Sequence, residues 1–319
     1  MGGNFFLIFT TAAYGVLRAE GNVKKTTYAM SFGAIVNMIL DPLFIYTLGL
    51  GISGAAYATV LSMALVTLIM IYWFRRDTYI KFSYKCFKLS KVIMRKLLLV
   101  GLPAGVEFLI LAIVAGALNL LLMMISGVDG VAIYSAGWRV VMFAILPIVS
   151  VGLSVVSVIG ASYGGRRFEN FKIVQNYAIK VGLLIAVIIS ILTYVFAPQI
   201  TLIFTYSSQT ADLSGEIANF LRFMCFFYIF VPVGSVAASI FQGVGRGIDS
   251  LVLTFIRELL LIVLFAYIFT MFFGLGINGV WLGIVVGNVV GSLISYLWSL
   301  IFVNALLKSK KEEYDETFS

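Results

Sequence analysis

The sequence predicts an all-α, polytopic membrane protein. It is built as two helical bundles related by a parallel repeat, with about nine transmembrane helices of an expected twelve. Three observations predict this: an apolar composition, apolar runs of bilayer length, and a long-range internal repeat. Of the 319 residues, 61% are hydrophobic and 11% charged, against roughly 45–50% and about 25% in soluble domains. The mean hydropathy is +1.07. A water-soluble globule would expose too much of this surface, and disorder is excluded by the same apolar content. Collagen-like and disulfide-stapled scaffolds fail on the glycine, proline and cysteine counts. Histidine is absent, which removes His-based metal sites, proton relays and triads. Cys86 and Cys225 fit neither a disulfide nor a metal pair, and no cofactor is implied.

A hydrocarbon core about 30 Å thick takes roughly 20 apolar residues per helix. Apolar runs separated by charge or Gly/Pro clusters give nine spans: 3–17, 26–48, 52–74, 97–127, 131–163, 173–204, 217–243, 251–273 and 277–307. The longer runs are expected to tilt, to kink at proline or to extend into the interface. Of the 22 Lys and Arg residues, only Arg139, Lys180, Arg222 and Arg257 fall inside these segments. The others occupy alternate loops and the C-terminal tail, the pattern of cytoplasmic loops. This distribution explains the net charge of +8 without nucleic acid. The basic stretch 75–96 is expected to be a cytoplasmic linker touching anionic lipid headgroups. The expected organisation is a partial N-terminal bundle of three helices (1–74), that linker, a six-helix C-terminal bundle (97–307) and a cytoplasmic tail (308–319). The tail acids Glu312, Glu313, Asp315 and Glu316 are expected to be solvated. Nine spans with the C-terminus inside leave the N-terminus outside, and no basic stretch of a signal peptide precedes Phe5.

The repeat relates spans one to three to spans seven to nine. LGLGISGAA (48–56) parallels FGLGINGVW (273–281), and LRAEG (17–21) parallels FQGVG (241–245). Gly21 and Gly49 lie 28 residues apart, Gly245 and Gly274 lie 29 apart, and an apolar span separates each pair. Both copies begin on the same side, as in transporters built from parallel repeats. Spans four to six then lack a counterpart at the front, so the expected architecture is two six-helix bundles from which the first three helices are missing.

Ionisable groups within a bilayer cost about 2.5–3.5 kcal/mol or more each and mark candidate sites. Asp41 is the one charge between Lys25 and Arg75. Asn37 lies four residues earlier on the same helix face, and Pro42 should kink the helix and free backbone carbonyls. Together they make an oxygen-rich pocket suited to a hard cation or to a carboxyl that takes up a proton, with Thr59 adding a hydroxyl from the next span. The competing reading is that Asp41 caps a helix broken at Pro42. A shift of 225 residues places Ile262 and Ala266 opposite Asn37 and Asp41, so the second copy lacks this polar pair. In the second bundle Glu107, Arg139, Arg257 and Glu258 form a candidate polar site, with Glu107 a second cation- or proton-binding carboxylate, a partner for Arg139 or an interfacial carboxylate. Arg257 and Glu258 are sequence neighbours, expected to point about 100° apart and to need partners on other helices. Arg139, Lys180 and Arg222 are expected to snorkel, and Asn119 to join helices by a hydrogen bond. The 27 Phe, 16 Tyr and 11 Met residues suit a hydrophobic cavity for organic cations as well as lipid contact.

The stretch LRAEGNVKKTTYAMSFGAIVNMILDPLFIYTLGLGISGAAYATVLS (17–62) resembles the fourth-to-sixth helix region of multidrug and toxic compound extrusion (MATE) transporters. GLPAGVEFLILAIVAGALN (101–119) and the stretch 134–165 resemble the opening of that family's second bundle. Ala161 departs from the Gln usual in the family. The resemblance implies twelve helices in two bundles, of which this chain begins within the fourth. It implies a secondary antiporter that exports organic cations or drugs in exchange for H+ or Na+. Asn37, Asp41 and Thr59 match positions lining the first-bundle ion-coupling pocket. The expected setting is the cell (plasma) membrane, with membrane lipids as partners. Two alternatives are a flippase for a lipid-linked saccharide, and a truncated remnant or subunit without transport of its own. No arrangement suggests an enzyme.

Overall fold

The computed structural model describes residues 3–76, 90–202 and 213–318, with side chains through residue 308. Every regular element among them is a helix. Lys81, Lys85, Cys86 and Lys88 of the expected linker lie outside the described residues.

The chain forms two compact units, 1–89 and 90–319. The first contains α1 (Gly3–Ala19), α2 (Val23–Thr47) and α3 (Gly51–Arg76). The second begins with a helical stretch from Lys91 to Gly164, broken at Gly127, where φ is 62° and ψ −147°. That conformation is open to glycine and closed to most residues with a Cβ, so the chain passes from α4 (91–126) to α5 (128–164) at a single residue. The sequence spacing places a longer connection there. α6 (Glu169–Leu202), α7 (Ser214–Gly243), α8 (Gly247–Phe272) and α9 (Gly276–Phe318) follow. Seven helices are long and apolar enough to cross a membrane. The break at Gly127 divides one of them, and α1 adds a 17-residue segment. α9 continues through the expected tail to Phe318. Lys and Glu are good helix formers.

Unit 1 packs α1 and α2 on α3 around Leu17, Ala29, Met70 and Phe74. Unit 2 is centred on α7, which contacts α4, α5, α6, α8 and α9. Its largest cluster holds an aromatic knot. The Phe220 ring meets Trp281 edge-on at 4.6 Å, and Tyr134 lies 6.2 Å from both. Such edge-to-face and offset pairs are the favoured arrangements of aromatic quadrupoles.

The internal repeat is a repeat of backbone geometry. Gly21 and Gly245 have φ of 81° and 80°, and each closes the same helix-ending motif. Gly21 N–H donates to Arg18 O at 3.0 Å and Asn22 N–H to Leu17 O at 2.8 Å. Gly245 N–H donates to Gln242 O at 3.0 Å and Arg246 N–H to Phe241 O at 2.9 Å. This pair of bonds satisfies terminal carbonyls that the helix leaves without donors. At the other end α2 and α8 both finish in a π-helical turn, Leu43–Thr47 and Ile268–Phe272. Pro42, expected to kink the helix, stands at the change from α to π winding, with its own dihedrals helical (φ −60°, ψ −38°). Proline has no N–H and so cannot donate the α-helical bond there, but α8 takes the same π turn after Tyr267, so the winding belongs to the repeat and not to the proline.

Helix packing explains the glycines of α9. Gly279, Gly283, Gly287 and Gly291 recur every four residues and form one stripe. A Cβ on Gly279 would lie 2.9 Å from the Phe269 carbonyl, one on Gly283 would strike the Ala266 backbone, and one on Gly287 would lie 2.6 Å from Ile262 Cα. Small residues at this period let helices approach to backbone contact, the main source of helix association in lipid. Gly283→Ala is expected to destabilise unit 2 by about 1–3 kcal/mol through overpacking. Gly116→Ala, which meets nothing within 4 Å, should be neutral or slightly stabilising. Thermal unfolding of the two variants in detergent checks the contrast.

Candidate functional site

Both units hold polar side chains that meet within their helices. In unit 1 the α-helical spacing of Asn37 and Asp41 puts both on one face of α2, and α3 brings Thr59 opposite. The Asn37 amide donates to Asp41 Oδ1 and to Thr59 Oγ1, each at 3.4 Å. Thr59 spends its own proton on Ala55 O at 2.9 Å, so its oxygen faces Asn37 as an acceptor. Both bonds from Asn37 are at the long limit for N–H···O contacts. Asp41 is half-buried and makes no ion pair among the described residues. The result is a set of oxygen atoms bridged by one amide, with a carboxylate that has accepted one weak bond where it has room for several. Such a group gains more than a saturated one from a proton or a small cation. The sequence places these three residues together, and the structure does so too.

In unit 2 Glu107 of α4 reaches the turn between α7 and α8. Ser250 Oγ donates to Glu107 Oε1 at 2.8 Å, and Gln242 Nε2 donates to Oε2 at 3.2 Å. The same Gln242 amide lies 3.1 Å from Ser250 Oγ. Gln242 contributes its carbonyl to the glycine-closed end of α7, and Ser250 sits in the first turn of α8. Glu107 therefore clamps a backbone turn through two neutral donors. Arg139 is not its partner: that side chain is exposed and makes no hydrogen bond or ion pair among the described residues. Gln242 and Ser250 escape sequence reasoning because neither carries charge, though Gln242 lies within the repeated FQGVG block and Ser250 five residues after it.

Arg257 and Glu258 correct a second expectation. They pair with each other: Arg257 Nε donates to Glu258 Oε1 at 3.0 Å, and Nη2 lies 2.8 Å from the same oxygen. Both side chains are 14% exposed. The expected divergence of about 100° applies to α winding, whereas residues Phe255–Ile262 are π-helical, and the long Arg side chain curls back to its neighbour. Arg222 and Lys180 are exposed, as snorkelling requires, and Arg222 lies 5.5 Å over the Tyr194 ring. Asn119, expected to join helices by a hydrogen bond, has its Oδ1 buried with no partner among the described residues.

Comparison with known proteins places these features in a family. Residues 103–268 match the protein family described as MatE. The chain is 25% identical to the probable multidrug resistance protein YoeA of Bacillus subtilis, over 87% of this chain and 60% of that protein. It is 27% identical to the probable multidrug resistance protein YpnP of the same organism, over 88% and 62%. Among solved structures, a MOP superfamily transporter from Pyrococcus furiosus superposes with a TM-score of 0.92 at 39% identity, covering 95% of this chain and 68% of that one. The chain thus spans about 60% of the length of the curated relatives it matches.

The Glu107 clamp has a measurable consequence. Ser250→Ala leaves one carboxylate oxygen without its short bond and should cost about 1–3 kcal/mol of unfolding free energy. Glu107→Gln combined with Ser250→Ala should cost less than the two single changes added, with a coupling of about 0.5–3 kcal/mol, measured by thermal or urea unfolding of all four proteins.

Proposed function

Starting from the premise that this chain belongs to the MatE family, we propose that it acts in secondary antiport, moving organic cations out of the cell in exchange for H+ or Na+. The observation that supports this most is the condition of Asp41. It is half-buried on an apolar helix, carries no counter-charge among the described residues, and is met by a single long bond from Asn37. A carboxylate in that position is costly when empty and stabilised by a cation or proton. Binding that differs between two arrangements of α2 is what shifts their equilibrium. The switch to π winding directly after Pro42 puts an irregular, adjustable turn next to the ion-binding group, as π segments commonly do at functional positions. Asn37 orients the carboxylate, and Thr59 supplies a further oxygen.

The same reading extends to organisation. Residues 1–74 form part of one bundle, 75–96 a basic cytoplasmic linker, 97–307 a six-helix bundle and 308–319 a cytoplasmic tail, in the plasma membrane with the C-terminus inside. A flippase for a lipid-linked pyrophosphate would need a cradle of free cations. Arg257 is committed to Glu258, and Arg139 and Lys180 are separately exposed, which favours the antiporter.

The full chain reconstituted in vesicles and loaded with ethidium should release it when a proton or sodium gradient is imposed. Asp41→Asn should abolish gradient-driven release, and Asn37→Ala should lower it less. Release unchanged by Asp41→Asn would remove the coupling site, and no gradient-driven release by the unaltered chain would overturn the reading of it as a transporter by itself.

A further inference from the structure

Three helix ends in this chain close with the same motif, and one of them fills it differently. Where α1, α7 and α5 stop, a residue in the left-handed conformation donates its N–H to the carbonyl three residues back, and its successor donates to the carbonyl five back. At the ends of α1 and α7 the left-handed residue is a glycine, Gly21 and Gly245. At the end of α5 it is Arg166, with φ of 52°. Arg166 N–H donates to Tyr163 O at 3.1 Å and Arg167 N–H to Ser162 O at 2.9 Å. Arg166 is the one residue other than glycine with positive φ among the described residues. A Cβ is unfavourable in that conformation. Gly164 and Gly165 stand immediately before it, yet neither takes the position. Strain held at a single residue points to a use for its side chain.

The surroundings of Arg166 suggest that use. α5 and α7 reach this end of unit 2 side by side. A Cβ on Gly160 of α5 would lie 3.3 Å from Gly243 O, and one on Gly243 would lie 2.9 Å from Val156 O. The two helix ends set an arginine at the same place in the motif, Arg167 and Arg246. Phe168 after α5, Val244 after α7 and Phe302 of α9 belong to one apolar cluster, and the Arg246 guanidinium lies 5.1 Å over the Phe302 ring. Tyr163, Phe168 and Phe171 bracket the two arginines in the chain and pack together, with ring centroids 5.8–6.4 Å apart. Arg166, Arg167, Lys172 and Arg246 are exposed. The acids beside them are Glu169, in the first turn of α6, and Asp249, which pairs with Arg246 at 2.6 Å. A cation is favoured at a helix C-terminus by the macrodipole, and Arg167 and Arg246 meet that need. It calls for no second arginine in a left-handed position.

We infer that Arg166 and Arg167, with Lys172 in the first turn of α6 and Arg246 on the neighbouring helix end, form a site for the phosphate of an anionic phospholipid. Two adjacent guanidinium groups suit a phosphate, whose oxygens accept paired N–H bonds from the planar fork. A glycine at position 166 would close the turn at lower cost and remove one of the two forks. The source of the phosphate follows from the place. α5, α6 and α7 belong to helices long and apolar enough to cross a membrane, so their ends come to headgroup level. Exposed Tyr163, packed against Phe168 and Phe171, is the kind of aromatic side chain that settles there. The inference is independent of the antiport reading, because it concerns the lipid around unit 2 and neither the coupling ion nor the cargo.

Native mass spectrometry of the full chain in a non-ionic detergent, titrated with phosphatidylglycerol or with phosphatidylcholine, reads the affinity of the first lipid bound. Phosphatidylglycerol should bind more tightly by about fivefold or more. Arg166→Gly and Arg167→Gln should each weaken it about fivefold, the effect of one basic residue at a membrane surface. Arg222→Gln, which removes an exposed arginine nearer the start of α7, should leave it unchanged. Arg166→Gly has a second readout. Glycine suits the left-handed turn, so the Tm in lipid-free detergent should rise, while the gain in Tm that phosphatidylglycerol gives the unaltered chain should shrink. An Arg166 that serves the fold alone would lose Tm on this change and keep its lipid affinity, which overturns the inference. Equal affinity of the unaltered chain for the two lipids overturns it as well. So does inorganic phosphate that raises the Tm as far as phosphatidylglycerol does, since the site would then take a soluble anion.

Discussion

Charge within an apolar helix bundle has few available answers, and each of them shapes the surrounding structure. Removing an ion from water costs several kcal/mol even after relaxation, so an ionised side chain there must meet an opposite charge, a set of oriented neutral donors, or an ion from outside. Two of these answers are visible in this protein, and one acid is left with neither. Glu258 meets Arg257 at 2.8 Å. Glu107 meets Ser250 and Gln242. Asp41 meets little beyond one amide at 3.4 Å, and is the group with most to gain from an exchanged ion. The ranking follows from geometry alone and distinguishes acids that look equivalent in the sequence.

Close helix packing makes these answers possible. Gly234 and Gly291 leave the volume into which Arg257 fits. The stripe Gly279–Gly283–Gly287–Gly291 brings α9 onto the backbone of α8. In water such a stripe would forfeit apolar burial. In lipid, where burial adds little between helices, close approach of backbones is itself the attractive term.

Much of this was legible in the sequence. The apolar runs gave nine helical segments, and the LGLGISGAA/FGLGINGVW block gave a repeat that the structure reproduces down to paired glycine dihedrals at Gly21 and Gly245. The triad Asn37, Asp41 and Thr59 was readable because i,i+4 spacing on one helix and a hydroxyl on the next are short-range facts. What escaped depended on winding and on neutral partners. Period-3.6 reasoning sets Arg257 and Glu258 apart, and it leaves out that a long Arg side chain can curl back to its neighbour. Glu107 calls for a cation by charge, yet Ser250 and Gln242 answer it, and no charge pattern points to a serine 143 residues away. One signal of the π segment was present all the same: the spacing of 29 against 28 between paired glycines recorded an inserted residue.

That inserted residue shows how a duplicated fold acquires unlike halves. Two copies that keep the same helix ends, the same closing hydrogen bonds and the same terminal π turn are constrained at both ends of the α2/α8 element. An added residue cannot be passed to the loops without breaking those ends, so it must be taken up inside the helix, where it rotates every side chain on one side of it relative to the other. Unit 1 keeps regular winding through Gly33 and places its polar pair, Asn37 and Asp41, nearer the terminal π turn. Unit 2 has Ile262 and Ala266 in those places and puts its charges at Arg257 and Glu258, on the far side of the equivalent position. The polar groups of the two units therefore occupy different depths along equivalent helices. A carboxylate with one long amide bond in one half and an Arg–Glu pair in the other thus sit on either side of a single change of register.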